Sequence, residues 1–287
     1  MKVNNLIRMV NTWAIPRIKD NLPLWCFPKY QLRFKAYCVG LPKTGTTSIH
    51  AMFSQNYRSA HEPEGGLVCN RILAYVTGKI SKSELTRFVR RRDRRLSLEM
   101  DSNNDNYFLL DILVSEFSEA KFILTIRDCY SWLDSFLNHH YLGILYVRAN
   151  YPFRKNCPMK RYDIIFGIDE FKHTSEEKIL VENGLYTLDG YFRYWREHNQ
   201  QVMAIIPKEK LLIVKTKEIN QYIPKIEQFL ELTPGSLRDQ VRENVRREKQ
   251  KYHFLSKIDK SFLEERANFY CKELMDKYFP EVKGFNS

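Results

Sequence analysis

Apolar residues fall into two alternating patterns along the chain. Short apolar runs at residues 36–40, 95–100, 121–127 and 211–215 have the length and flanks of buried strands, and a further short strand is expected at 57–60. Between the runs, apolar residues recur at helical spacing. Ile49, Met52 and Phe53 predict a helix after the first strand, and Leu133, Phe136 and Leu137 one after the strand at 121–127. Leu185, Leu188, Phe192 and Trp195 predict a longer helix before the strand at 211–215, and Ile223, Ile226 and Phe229 one after it. Leu263, Ala267, Tyr270 and Leu274 mark a C-terminal helix. Strands alternating with helices predict an α/β fold with a central parallel sheet flanked by helices. Residues 143–182 break the rhythm; rich in aromatic and basic residues, they read as an irregular insertion over the acceptor side of the sheet edge. With no internal repeat or linker, residues 1–287 are expected to form a single domain, with 1–34 as a basic helical extension.

Composition narrows the classes. The 287 residues are 44% hydrophobic and 14% aromatic, which argues against disorder. Lys and Arg outnumber Asp and Glu by 46 to 34, a net charge of +12 that suits an anionic partner without choosing among them. The six cysteines show no CxxC spacing, and a chain of this length needs no disulfide framework, so they read as free thiols in a reducing, cytoplasmic compartment. Seven histidines form no HExxH pattern, and no metal site is expected. Lys2, Arg8, Arg17 and Lys19 interrupt the N-terminal segment, which is therefore too polar for a leader or a spanning helix. It reads as a helix packed on the domain or as a peripheral membrane contact.

The most informative stretch is Gly40-Leu41-Pro42-Lys43-Thr44-Gly45-Thr46-Thr47-Ser48, between an expected strand and an expected helix. Gly40 and Gly45 have the spacing of a phosphate-cradling loop, with backbone N–H groups and the hydroxyls of Thr46, Thr47 and Ser48 available to an anion. In the triphosphate version, GxxxxGK[ST], a lysine stands where this chain has Thr46. The lysine here is Lys43, inside the loop, closer to the first anionic group after a nucleoside. That geometry suits a donor with one phosphate and a singly charged transferable group, and needs no metal.

PKTGTTS resembles the 5′-phosphosulfate loop of the sulfotransferases that use 3′-phosphoadenosine 5′-phosphosulfate, typically PKSGTT. A second element agrees. The strand at 121–127 ends in Arg127, and Ser135 follows eight residues later in RDCYSWLDS, similar to the family's 3′-phosphate site. Arginine offers a planar fork to phosphate oxygens and serine a hydroxyl. YFRYWREH and LLIVKTKEI resemble the family's later helix and strand, so the likeness runs from about Tyr37 to Leu232. It implies a P-loop NTPase-like sulfotransferase fold, with the donor bound by Lys43, Thr44, Gly45, Thr46, Thr47, Ser48, Arg127 and Ser135, and adenosine 3′,5′-bisphosphate as product. The late RKGxxGDWK loop of the cytosolic branch has no counterpart here. The segment 246–251 reads either as its replacement or as a solvated helix face.

Sulfo transfer needs a base for the acceptor proton and positive charge at the bridging oxygen, for which Lys43 is the natural choice. The resemblance points to Glu62 in AHEPEGG as the base; Asp101, at the end of RLSLEMD, is the second candidate, and Glu64 and His61 follow. The arginines at 87, 90–92, 94 and 95 read as an attractor for an anionic acceptor or as a solvated face; His139 and His140 read as ligand contacts or as structural. The acceptor is expected to be a hydroxyl or amine of a carbohydrate or small natural product. A nucleic-acid-binding protein lacks its motifs here. A nucleotide kinase lacks its loop lysine, though Asp128 stands where it would hold magnesium. A non-catalytic nucleotide binder has Lys43, Arg127 and Ser135 against it.

Overall fold

The computed structural model describes residues 15–150, 157–239 and 252–285. These fall into two compact units. One comprises 15–40, 45–125 and 202–239; the other comprises 41–44, 126–150, 157–201 and 252–285.

The first unit is built on a five-stranded sheet: β1 (Ala36–Cys38), β2 (Ser59–His61), β3 (Met100–Ser102), β4 (Lys121–Ile126) and β5 (Leu211–Lys215). The order is β2-β3-β1-β4-β5, and the pairs β1–β3, β1–β4 and β2–β3 are parallel. Successive side chains of a strand point to opposite faces, and the two cores follow that rule. Ala36, Cys38, Ile123, Leu212 and Val214 enter one cluster; Tyr37, Val39, Phe122 and Leu124 enter the other. Helices α2 (Thr46–Phe53) and α10 (Ile223–Phe229) cover the first face through Ile49, Met52, Phe53 and Ile226. Helices α3 (Gly65–Val76), α4 (Lys82–Leu96) and α5 (Leu110–Glu116) cover the second through Leu67, Phe88 and Leu113. α1 (Ile15–Asn21) precedes β1. Strands buried on both faces read as apolar runs, which is why the sequence announced them.

Four expectations need correction. The strand expected at 95–100 begins five residues later, because α4 runs on to Leu96 and ends at Ser97, left-handed with φ 45°. α4 starts on a capping box, Ser81 with Glu84, worth about 1 kcal/mol. Its arginines are only in part a solvated face: Arg87 and Arg90 are exposed. Arg92 and Arg95 are buried, paired with Asp101 and Glu64, while Arg91 donates to the carbonyls of Asp20 and Leu22. The strand expected at 57–60 is shifted by one to two residues, so His61 ends it. Cys69 is disulfide-bonded, against the reading of six free thiols; cysteine spacing alone does not announce a single bridge. Cys26, Cys38, Cys129 and Cys271 are free.

The second unit is helical. α6 (Cys129–Asn150) continues for 22 residues into the region expected to be irregular, followed by α7 (Cys157–Ile165), α8 (Lys178–Glu182), α9 (Leu188–Ile205, its last turn in the first unit) and α11 (Lys260–Tyr278). The aromatic residues of 143–182 are its core: Tyr162 and Phe166 pack with Phe136, His140, Tyr186 and Tyr191. His140 is buried there, and its Nδ1 lies 3.0 Å from the Tyr191 hydroxyl; His139 is exposed. Burial, with His139 nearby, lowers the His140 pKa to about 3. On α11, Leu263, Ala267 and Leu274 are buried, as their spacing predicted, whereas Tyr270 is only half-buried and Cys271 beside it takes the buried position. No helix among the described residues is long and apolar enough to cross a membrane.

Candidate active site

The strand order reverses at β1, the central strand, which is where open α/β sheets bind ligands beyond the carboxyl ends of their strands. The chain leaves the sheet after Val39, whose N–H still donates to the Ile123 carbonyl at 2.9 Å. It re-enters as α2 through Gly45, which has φ 104°. The positive φ favours glycine here, and a Cβ on Gly45 would lie 2.4 Å from Ile219 Cδ1, so the tip of that side chain would have to shift. The N-cap residue, Gly45, has no side chain to cap α2.

At this helix start, in the first unit, several side chains converge. His61 Nε2 lies 3.2 Å from Thr46 Oγ1 and 3.1 Å from Thr47 Oγ1. The next residue, Glu62, is left-handed with φ 48°, and its N–H donates to the Ser102 carbonyl at 2.9 Å. Asn104 Nδ2 donates to Glu62 Oε1, which is 4.0 Å from His61 Nε2. Ser102 Oγ ties β3 to α2 by donating to the Thr46 carbonyl at 2.6 Å. Strained non-glycine backbone of this kind clusters at functional sites. Glu64 is also left-handed, with φ 58°.

The carboxylates differ sharply. The Glu62 side chain is 44% exposed. Asp101 is 3% exposed and accepts from Arg92 Nη1 at 2.6 Å, while Arg92 Nη2 reaches the Pro63 carbonyl at 3.1 Å. Glu64 is clamped by both terminal nitrogens of Arg95. Glu99 accepts from Arg33 and from the Arg58 N–H, which lowers its pKa despite burial. Burial, then the carboxylates of Asp93 and Asp101, push the Tyr37 phenol on β1 well up.

In the second unit lie the remaining loop residues and the arginine. Lys43 is left-handed with φ 70°. Thr44 is fully buried and its hydroxyl donates to the Leu41 carbonyl at 2.6 Å. Arg127 Nη1 donates to the Lys43 carbonyl at 3.3 Å and its Nε to Ser131 Oγ at 2.9 Å. Ser131 in turn gives its N–H and its hydroxyl to the two carboxylate oxygens of Asp128, as at a helix N-cap. Two indoles fix this geometry: Trp132 Nε1 donates to the Pro42 carbonyl and Trp195 Nε1 to the Arg127 carbonyl, each at 3.0 Å. Ser135 is half-buried on α6, one turn beyond Ser131. The segment 246–251 lies outside the described residues.

Ser48 is buried in the first turn of α2. Sequence reasoning missed Asn104, Ser131 and the two indoles; the run SNNDN was the one available signal for Asn104.

A parallel sheet with a glycine-gated loop and an uncapped helix after its central strand defines a phosphate-loop type of α/β protein. A family model for the sulfotransferase domain matches residues 35–232, and the chain belongs to that family. Among solved structures it is similar to the sulfotransferase STF9 of Mycobacterium avium, with TM-score 0.55 and 12% identity over 97% of this chain and 84% of that one. Fainter likenesses are to a sulfotransferase of Alicyclobacillus acidocaldarius (TM-score 0.44, 13% identity, 83% of this chain and 96% of that one) and to the sulfotransferase domain of the Synechococcus PCC 7002 olefin synthase (TM-score 0.33, 11% identity, 72% and 77%). No curated protein sequence matches the chain. At these identities the first likeness supports the fold alone.

Proposed function

We propose that this sulfotransferase takes its sulfo group from 3′-phosphoadenosine 5′-phosphosulfate and gives it to a hydroxyl or amine of a carbohydrate or small natural product. The observation that carries the reading is the contrast among carboxylates. Glu62 stands half-exposed beside the start of α2, held by Asn104, whereas Asp101 and Glu64 sit in arginine pairs. A base must reach solvent-delivered substrate, and Glu62 is the carboxylate that does.

In the proposed step the acceptor oxygen or nitrogen attacks sulfur in line. The bond from sulfur to the bridging phosphate oxygen breaks, and the acceptor proton passes to Glu62. Lys43 neutralises the charge that develops on the bridging oxygen. Gly45 and the first turn of α2, with Thr46, Thr47 and Ser48, receive the 5′ side of the donor, and Arg127 with Ser135 the 3′-phosphate. Adenosine 3′,5′-bisphosphate and the sulfated acceptor leave. The kinase alternative is weakened because Thr46 stands where the triphosphate loop has its lysine. A cytoplasmic location has the Cys69 disulfide against it, since the cytosol keeps thiols reduced. Alkylation of Cys69 in intact cells before and after a reductant decides between compartments.

The test of the donor is calorimetric titration with adenosine 3′,5′-bisphosphate, beside ATP with Mg²⁺, for the wild type and Arg127→Ala. Metal-free binding of the bisphosphate, lost in the variant, is the expected result. A preference for ATP with Mg²⁺ would overturn the reading.

A further inference from the structure

We propose that His61 is a positioning residue: by donating from Nε2 to the hydroxyls of Thr46 and Thr47, it turns both hydroxyl protons toward the donor's 5′ anion. The inference rests on the reading above that the start of α2 receives that anion.

The argument is one of counting hydrogens. Each threonine hydroxyl has one proton and two acceptor positions, and the ring nitrogen Nε2 offers either a lone pair or an N–H. The two Oγ1 atoms lie at nearly equal distances from Nε2, 3.2 and 3.1 Å, so both hydroxyls share that single position. If Nε2 carries a lone pair, the hydroxyl protons point at the histidine. The threonine oxygens then present their own lone pairs to an arriving anion, which is repulsive. If Nε2 carries the hydrogen, both oxygens accept from it and both protons are released toward the anion, as charge-assisted bonds. An anion at the helix start therefore selects the Nε2–H form.

The surroundings push the same way. Glu62 Oε1 is 4.0 Å from Nε2, and an acceptor there favours a hydrogen on that nitrogen over a lone pair. Asn104 keeps the carboxylate in place through its other contact. The second neighbouring ring, His50, has its centroid 6.4 Å away and its Nδ1 against Ser59 Oγ at 2.9 Å. His61 is thus a member of the loop's hydrogen-bond circuit, with Nε2 engaged by the threonines and not available as the base.

The test compares adenosine 3′,5′-bisphosphate with adenosine 3′-monophosphate, which lacks the 5′ group, on the wild type, His61→Leu and His61→Gln. The glutamine amide keeps a donor at similar reach; leucine has none. The leucine variant should bind the bisphosphate about tenfold more weakly while holding the monophosphate as before, and glutamine should restore bisphosphate binding to within about threefold. In the wild type labelled with ¹⁵N-histidine, the bisphosphate should fix the His61 signal as a protonated Nε2. Unchanged bisphosphate binding by His61→Leu overturns the proposal alone. So does equal weakening of both nucleotides, the mark of a merely structural role, or a bare Nε2 in the complex. Failure of the wild type to bind the bisphosphate overturns the donor reading, and this inference with it.

Discussion

Replacing Asp101 with alanine separates a structural carboxylate from a catalytic one. Asp101 is 3% exposed, and its partner Arg92 is 5% exposed with one short bond to it at 2.6 Å. Truncating the aspartate leaves a guanidinium buried with its counter-charge gone. Breaking such a pair from one side costs about 3–5 kcal/mol, a large part of a stability that is typically about 5–15 kcal/mol. At about 2–4 °C per kcal/mol for chains of roughly this size, the unfolding midpoint should fall by roughly 10 °C. Replacing both partners with apolar residues of similar volume, Arg92→Met with Asp101→Leu, should recover most of that loss, because the unpaired charge leaves with its partner. Circular dichroism melting reads the stability, and sulfo transfer is then assayed well below the lowered midpoint. The expected outcome is a variant that melts early but turns over within about tenfold of wild type per folded molecule. An alanine variant that melts with the wild type and loses a hundredfold or more in kcat/KM would refute the reasoning and make Asp101 the base.

Glu62→Gln should do the opposite: kcat/KM falls about a hundred- to ten-thousand-fold, with melting and bisphosphate affinity unchanged, as steady-state kinetics and calorimetry will read. Gly45→Ala should lower stability by about 1–3 kcal/mol in urea unfolding, because alanine resists the positive φ and its Cβ would meet Ile219. The His140 pKa, lowered to about 3 by burial, lies below the unfolded value of about 6.5, so the unfolded chain takes up the proton first. Stability is therefore full above about pH 6.5 and declines as pH falls toward 3, and His140→Phe should flatten that slope in denaturation curves from pH 7 to 4. Mass spectrometry of the denatured, unreduced chain should find Cys69 blocked to alkylation and Cys26, Cys38, Cys129 and Cys271 open.

The parts legible in the sequence were those with short-range rules. Strands buried on both faces show as apolar runs, so β1, β4 and β5 stood out, and the glycine spacing of the loop marked the turn into α2. β3 was misplaced because RRLSLEM alternates like a strand, while the continuation of α4 depends on partners far away in the chain, Asp20, Glu64 and Asp101. The aromatic stretch after Gly143 looked irregular because its helices bury rings against α6 and α9, which periodicity alone does not reveal. In the site, Gly45, the threonines and Arg127 were readable from motif. The resemblance put Glu62 first among the carboxylates, but which arginine lies beside each of the others was not readable. Nor was His61, whose role depends on β2 ending one residue before Glu62.

The two indoles that hold the loop and the arginine also make an optical instrument of the protein. Of its four tryptophans, Trp132 grips the Pro42 carbonyl and Trp195 the Arg127 carbonyl, while Trp25 stands 84% exposed. Fluorescence of the buried pair is tied to both segments proposed to touch the nucleotide. Trp25 answers readily to aqueous quenchers and can be silenced with iodide. Nucleotide arrival is then visible in stopped flow without a label, a coupled assay or a known acceptor.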